Sequence, residues 1–269
     1  MTYSKLLILG CGYTGTAALR QALARGLPVT VTTRSEARAE ALRALGAHVL
    51  CSPQLDASIR EHVDANTHVI VSFQPDPPSD DAVAPSLAGA HSIAYISSTG
   101  VYGELRGLID DSSEPPRPPS ERAARILRAE ECYRAQGAAV LRASGIYGPD
   151  RGLHARVMRG EHKLPGDGTR VVSRIHVEDL AAFALAAAEK ARGQTFVIGD
   201  SDPSRHIDVV QFICETYGCP MPESQALDQV PASLRADRTV DSSRARSLLA
   251  VELRFPSYRV GMSRQATGL

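Results

Sequence analysis

Three glycines near the start of the chain, Gly10, Gly12 and Gly15, stand at the spacing G-x-G-x-x-G directly after the apolar run Leu6-Leu7-Ile8-Leu9. The chemistry open to such a turn is the gripping of a pyrophosphate by backbone. Gly10 permits a tight turn, Gly12 has no side chain to hold a phosphate away, and Gly15 lets a following helix pack close to the strand. The helix N-terminus adds free N–H groups and a partial positive charge. A glycine turn without a ligand is the plainer alternative. The strand before it and the helix-forming segment Ala17 to Arg25 after it favour a dinucleotide, with Tyr13 and Thr14 inside the turn counted among its contacts. Further on, the chain reads Thr32-Thr33-Arg34-Ser35, with Arg38 one turn later. An acid at this place would bind ribose hydroxyls and select NAD. A guanidinium beside hydroxyls suits a 2′-phosphate instead, so Thr33, Arg34 and Ser35 point to NADP(H), with NAD as the alternative. The competing reading is a solvated loop arginine.

These residues require a parallel sheet to position them, and the rest of the chain alternates accordingly. Apolar or β-branched runs at Val29–Thr33, Ala47–Leu50, His68–Ser72, Ile93–Ser97, Ala139–Arg142 and Thr195–Ile198 read as strands. Glu36–Leu45, Glu121–Gln136 and Val177–Lys190 read as helices. The expected fold is α/β, a Rossmann doubly wound parallel sheet with a smaller C-terminal substrate-side lobe. Residues 1–143 and about 169–199 are assigned to the dinucleotide-binding domain, and about 144–168 and 200–269 to the lobe. The proline-rich stretches Gln74–Pro85 and Asp110–Pro119 read as a loop and a rigid extended connection. Thirty basic and thirty acidic residues give a formal net charge of zero, which gives no reason to expect nucleic acid or an anionic membrane as partner. No apolar stretch approaches the ~20 residues of a membrane span, and no leader precedes the first strand. Five cysteines without metal-ligand spacing suggest reduced thiols, a cytoplasmic location and no metal.

The segment Tyr95-Ile96-Ser97-Ser98-Thr99-Gly100-Val101-Tyr102-Gly103 resembles the Ser-Ser-x-x-Val-Tyr-Gly motif of extended short-chain dehydrogenases/reductases, the NAD(P)-dependent epimerase/dehydratase group. Leu141-Arg142-Ala143-Ser144-Gly145-Ile146-Tyr147-Gly148-Pro149 and Arg174-Ile175-His176-Val177-Glu178-Asp179-Leu180 are similar to further segments of that family. The resemblance runs from Lys5 to about Ile198, with an echo at Arg254–Tyr258. It implies that Ser98 hydrogen-bonds the reacting oxygen of a small-molecule substrate. It also implies that Ser97 and Ser72-Phe73-Gln74 lie beside the cofactor, and that Arg174 and His176 approach a substrate's phosphate or polar end. Plainer roles remain open: Ser98 as a strand-end cap, and Arg174 and His176 as structural partners of the following helix.

The resemblance has one gap. The family's catalytic pair is a tyrosine with a lysine four residues later, on the helix after the proline-rich connection. Here that helix reads Ser120-Glu121-Arg122-Ala123-Ala124-Arg125-Ile126. In one register the pair becomes Glu121 and Arg125, in the other Arg122 and Ile126. Tyr102 could stand in as the acid only if its ring turned into the cleft. The resemblance is therefore to an atypical branch lacking Tyr-x-x-x-Lys. Two readings follow: an NADP(H)-dependent oxidoreductase or epimerase/dehydratase-type enzyme with atypical catalytic residues, or a non-catalytic NADP(H)-binding sensor.

Overall fold

The computed structural model describes residues 3–231, 235–263 and 268. Its first half is built by repeated strand–helix alternation: β1 (Lys5–Leu9), α1 (Tyr13–Ala24), β2 (Val29–Thr33), α2 (Glu36–Ala44), β3 (His48–Cys51), β4 (Thr67–Val71), α3 (Pro77–Val83) and β5 (Ser92–Ser98). There follow β6 (Gly107–Ile109), α4 (Glu121–Arg134), β7 (Ala139–Ala143), β8 (Gly145–Tyr147), α5 (Leu153–Met158), β9 (Leu164–Pro165), β10 (Val171–Val172), β11 (Arg174–His176) and α6 (Val177–Lys190). The chain ends with β12 (Thr195–Ile198), β13 (Ser204–Arg205), α7 (His206–Tyr217), β14 (Ser224–Gln225), β15 (Arg238–Val240), α8 (Ser243–Leu249) and α9 (Tyr258–Gly261).

Seven strands form the central sheet in the order β12-β7-β5-β4-β1-β2-β3, every pairing parallel. Alternation along β1 shows why its sequence is apolar throughout. Leu6 and Ile8 join one core with α1, α6 and α8, while Leu7 and Leu9 join a second core with α3 and α4. A strand covered on both faces has no polar side to present. The order of strands reverses direction between β1 and β4, which opens a crevice at their carboxyl ends.

Two expectations are corrected here. The stretch Gln74–Pro85, read as a loop, contains α3, because Pro77 and Pro78 occupy its first two positions, where no intrahelical N–H bond is lost. The expected division of the chain also differs. β10 (from 169–199) and β6 (from 1–143) belong to a small sheet ordered β13-β10-β15-β6. From the other side, α8, within 200–269, sends Ala245 and Leu249 back into the core against α6 and β12. The small sheet needs β6 as a hydrogen-bonded neighbour for β15, pairing Val240 with Ile109. Beside it, α5 and α7 share an apolar cluster of Tyr147, Leu153, Val157, Val209, Ile213, Tyr258 and Met262.

Candidate functional site

The glycine turn lies at the carboxyl end of β1. Gly10 has φ +74°, and a Cβ there would come 2.5 Å from Phe73 Cβ at the end of β4, so both conformation and space demand glycine. At Gly15 a Cβ would lie 3.0 Å from Ile8 Cγ2, which measures how closely α1 packs on its strand. Gly12 caps α1 with no side-chain bond to the helix N-terminus, and a Cβ there would meet only Gly10 O, at 3.8 Å. The open approach and the uncapped helix end are the features a bound pyrophosphate requires.

Around this turn lies a cavity of about 630 Å³ lined by Gly10, Gly12, Tyr13, Thr33, Arg34, Ser35, Arg38, Ser72, Phe73 and Gln74, among others. The Gly10 N–H donates to Thr32 Oγ1 at 2.8 Å, tying the turn to β2. Arg38 has a different task from Arg34. It donates to Cys11 O at 2.8 Å, to Gly12 O at 3.0 Å and to Thr16 Oγ1 at 2.8 Å, so it braces the turn from behind. Arg34 is exposed and makes no hydrogen bond or ion pair with any described residue. Ser35 caps α2 through Arg38 N, and Ser72 donates to Gly10 O at 2.9 Å, so both hydroxyls serve the scaffold as well as the cavity wall.

A second cavity, of about 420 Å³, continues from the first across Tyr13, Ser72, Phe73 and Gln74. Its lining includes Thr14, Ser97, Ser98, Arg122, Arg125, Ile126 and Arg151. Ser98 Oγ accepts from Gly100 N at 3.0 Å, and its own hydrogen donates to no described residue, leaving it available to a ligand. On α4 both Arg122 and Ile126, and Arg125 from the other register, reach this cavity. Ile126 Cδ1 lies 3.5 Å from the Cβ position of Gly100, close beside Ser98, whereas Glu121 stays in solvent and pairs with Arg125 at 3.5 Å.

Ser97 and Tyr102 belong to a buried network. Ser97 Oγ donates to Glu130 Oε1 at 2.6 Å, Arg142 grips Glu130 at 3.0 and 2.7 Å, and Arg142 Nη1 donates to Tyr102 OH at 3.0 Å. Glu130 is fully buried, and Arg142 is 7% exposed. Tyr102 lines none of the three cavities; burial pushes its phenol up, with Arg142 opposing. Its expected placement as a stand-in acid is corrected accordingly: the ring is turned inward by Arg142.

A third cavity, of about 430 Å³, meets the second at Ile146 and Arg151 and lies under the small lobe. Arg174 lines it, buried, with Nη1 bonded only to Val172 O at 2.9 Å and the guanidinium 6.0 Å from the Tyr258 ring. His176 lines none of the cavities. Its Nδ1 accepts from Glu178 N at 3.3 Å, capping α6, and its ring stacks on Phe255 at 3.6 Å. Burial lowers its pKa to about 4.

Several cleft residues escaped the sequence reading. Arg151 borders all three cavities and lies over the Tyr13 ring at 5.2 Å, and Arg156 lines the third. Together the three cavities are lined by eight arginines (34, 38, 122, 125, 151, 156, 159 and 174) against two carboxylates, Asp76 and Asp150. In a chain of zero formal charge, that segregation gives the cleft an excess of positive charge. Among the described residues no group of three His, Cys, Asp or Glu is arranged to hold a metal, and no helix is long and apolar enough to cross a membrane.

Residues 81–199 match the profile of the NAD dependent epimerase/dehydratase family. The chain is similar to a 3-diazoavenalumate denitrifying reductase from a Streptomyces species, 28% identical over 193 residues. That match spans 65% of this chain and 64% of the reductase's length. A solved structure of a functionally unknown conserved protein from Silicibacter pomeroyi is 30% identical, with a TM-score of 0.83 over 98% of each chain. MoeE5 in complex with UDP-glucose and NAD has the same fold at 21% identity, with a TM-score of 0.76 over 96% of each chain.

Proposed function

The chain belongs to the NAD-dependent epimerase/dehydratase family of extended short-chain dehydrogenases/reductases, and from that premise we propose an NADP(H)-dependent oxidoreductase or epimerase/dehydratase-type enzyme with atypical catalytic residues. Its substrate in this reading is a small anionic molecule. The observation that carries the reading is the row of three adjoining cavities at the strand ends, with Arg151 in the wall of each. It runs from Arg34 past the glycine turn to Ser98 and on to Arg174, lined by arginines throughout. Gly10, Gly12, Tyr13, Thr14 and Gly15 would hold the pyrophosphate end, and Thr33, Arg34 and Ser35 the 2′-phosphate. Ser72, Phe73, Gln74 and Ser97 would border the nicotinamide end. When bound, the nicotinamide supplies the hydride chemistry. Ser98 would donate to the substrate's oxygen, and Arg174, with Arg156 beside it in the third cavity, would take an anionic distal group. Residues 144–168 and part of 200–269 would form the substrate-side lobe over the cleft. Five free cysteines support a reducing, cytoplasmic setting.

From α4 the cavity beside Ser98 receives Arg122, Arg125 and Ile126 and no tyrosine, which favours a second reading. In it the protein binds NADP(H) as a sensor without turnover. The test is a fluorescence titration with NADPH and NADH, followed by a screen of small carbonyl acids and sugar nucleotides for oxidation of NADPH. Saturable NADPH binding with turnover weakened by Ser98→Ala is the expected result. Tight NADPH binding without turnover supports the sensor. Failure of both nucleotides to bind would overturn both readings.

A further inference from the structure

To the cavity beside Ser98, α4 offers two guanidinium groups and an aliphatic side chain, Arg122, Arg125 and Ile126. Arginine remains protonated at any pH near neutrality, so Arg122 cannot exchange a proton with a substrate. What it can do is present a planar fork of donors that grips a carboxylate through two bonds. A solvated surface arginine would need no such explanation, but this one stands in a particular setting. Arg122 forms no hydrogen bond or ion pair with any described residue. Arg125 beside it has only the exposed Glu121, at 3.5 Å, and Arg151 across the cavity has only the face of the Tyr13 ring. No carboxylate of any described residue lines this cavity. Its remaining wall mixes the polar side chains of Thr14, Ser72, Gln74 and Ser97 with Tyr13, Phe73, Tyr95, Ile126 and Ile146 around the free hydroxyl of Ser98. The aromatic and aliphatic members of that wall suit the carbon skeleton of an organic acid, and the volume of about 420 Å³ lies in the range of small-molecule sites.

We propose that Arg122, with Arg125 at its side, is a carboxylate clamp at the reaction end of the cleft, so that the substrate is a small organic acid whose carboxylate lies close to the group held by Ser98. This rests on the functional reading above and narrows it. Arg122 becomes the residue that selects the substrate.

The test is calorimetric titration of the purified protein, with and without saturating NADP⁺, using trans-cinnamate and its neutral isostere cinnamamide as probes. Cinnamate is expected to bind at least tenfold more tightly than the amide. Arg122→Gln, a change at an exposed position, should erase that preference while leaving the NADP⁺ and cinnamamide titrations unchanged, and Arg122→Lys should keep part of it. Equal binding of the two probes, or no binding of either, overturns the clamp. So does an Arg122→Gln variant that weakens NADP⁺ as much as cinnamate, which would assign Arg122 to the cofactor. If NADP⁺ itself fails to bind, the functional reading falls, while a cinnamate preference in the nucleotide-free protein would still establish the clamp.

Discussion

Arg34 and Arg38 lie four residues apart at the same cavity, and the structure gives them separable consequences. Arg34 touches no described partner, so Arg34→Ala removes nothing from the fold. If its guanidinium meets the 2′-phosphate, the loss is one charge-assisted contact, about 1.5–3 kcal/mol. Arg34 is exposed, so solvent screening puts the effect near the lower end, about 1.5–2 kcal/mol, or roughly 10- to 30-fold in NADPH affinity. NADH lacks the phosphate and should lose almost nothing. Arg34→Glu should widen the gap by adding repulsion, and rising salt should narrow it in the native protein. Arg38→Ala should behave otherwise. It removes the bonds to Cys11 O, Gly12 O and Thr16 Oγ1 that brace the glycine turn, so both nucleotides should weaken together. Fluorescence titration of NADPH and NADH against the three variants at two salt concentrations decides it. Equal weakening of both nucleotides by Arg34→Ala, or tighter native binding of NADH, would refute the 2′-phosphate assignment.

Two further outcomes concern stability. Glu130→Gln leaves Arg142, 7% exposed, facing a neutral amide in place of its carboxylate. Breaking a buried pair from one side costs about 3–5 kcal/mol, and the surviving amide bond puts this case near 3. Urea denaturation should register it, and a loss under about 1 kcal/mol would show that the network is not the tie between α4, β5 and β7. Asp200 is buried with Oδ2 unpartnered among the described residues, and burial, opposed by the Asp202 N–H and by Arg174, raises its carboxyl to about 7. A raised folded-state value means the carboxyl's contribution is full below the ordinary value of 3.8 and is lost as pH rises through about 7. Asp200→Asn should therefore gain on the native protein as pH goes from 4 to 8, by at most ~4 kcal/mol for a shift of about three pKa units. A difference in denaturation free energy that stays constant over that range would contradict the burial argument.

The central sheet was legible because strands covered on both faces are unbroken apolar runs, and Val177–Lys190 and Thr195–Ile198 emerge with the expected bounds. Proline as a breaker misled the reading of Gln74–Pro85, since the prolines fall in the first turn of α3. The lobe resisted because β9, β10, β13 and β14 have two residues each, too few to carry any periodicity. Motifs located the cleft walls but not every side chain's allegiance. Ser97 and Tyr102 sit inside a family-like segment, yet their partners Glu130 and Arg142 come from α4 and β7, a pairing that only the packed sheet creates.

The basic cleft illustrates a property that no local pattern contains. Arg34, Arg122, Arg151 and Arg174 come from a strand end, a helix, a loop and a short strand, and no one segment shows that they share a cleft. The fold gathers them with few of the acids that balance the total charge: Asp76 and Asp150 stand in the lining and Asp200 close to Arg174. Many of the other acids are spent elsewhere: Glu36 on Arg43, Glu223 on Lys163, Asp208 on Arg205 and Glu178 on Arg254. Gathering like charges at one cleft opposes folding through self-repulsion. Sequences drift toward relieving such repulsion unless something that binds there requires it, because stabilising substitutions at exposed positions are easy to find. An anion that binds only the folded state would offset the repulsion and add RT ln(1 + [L]/Kd) to stability. In the proposed reading the cleft arginines answer to two ligands: one with phosphates at the glycine turn, and one with a negative group of its own beyond Ser98.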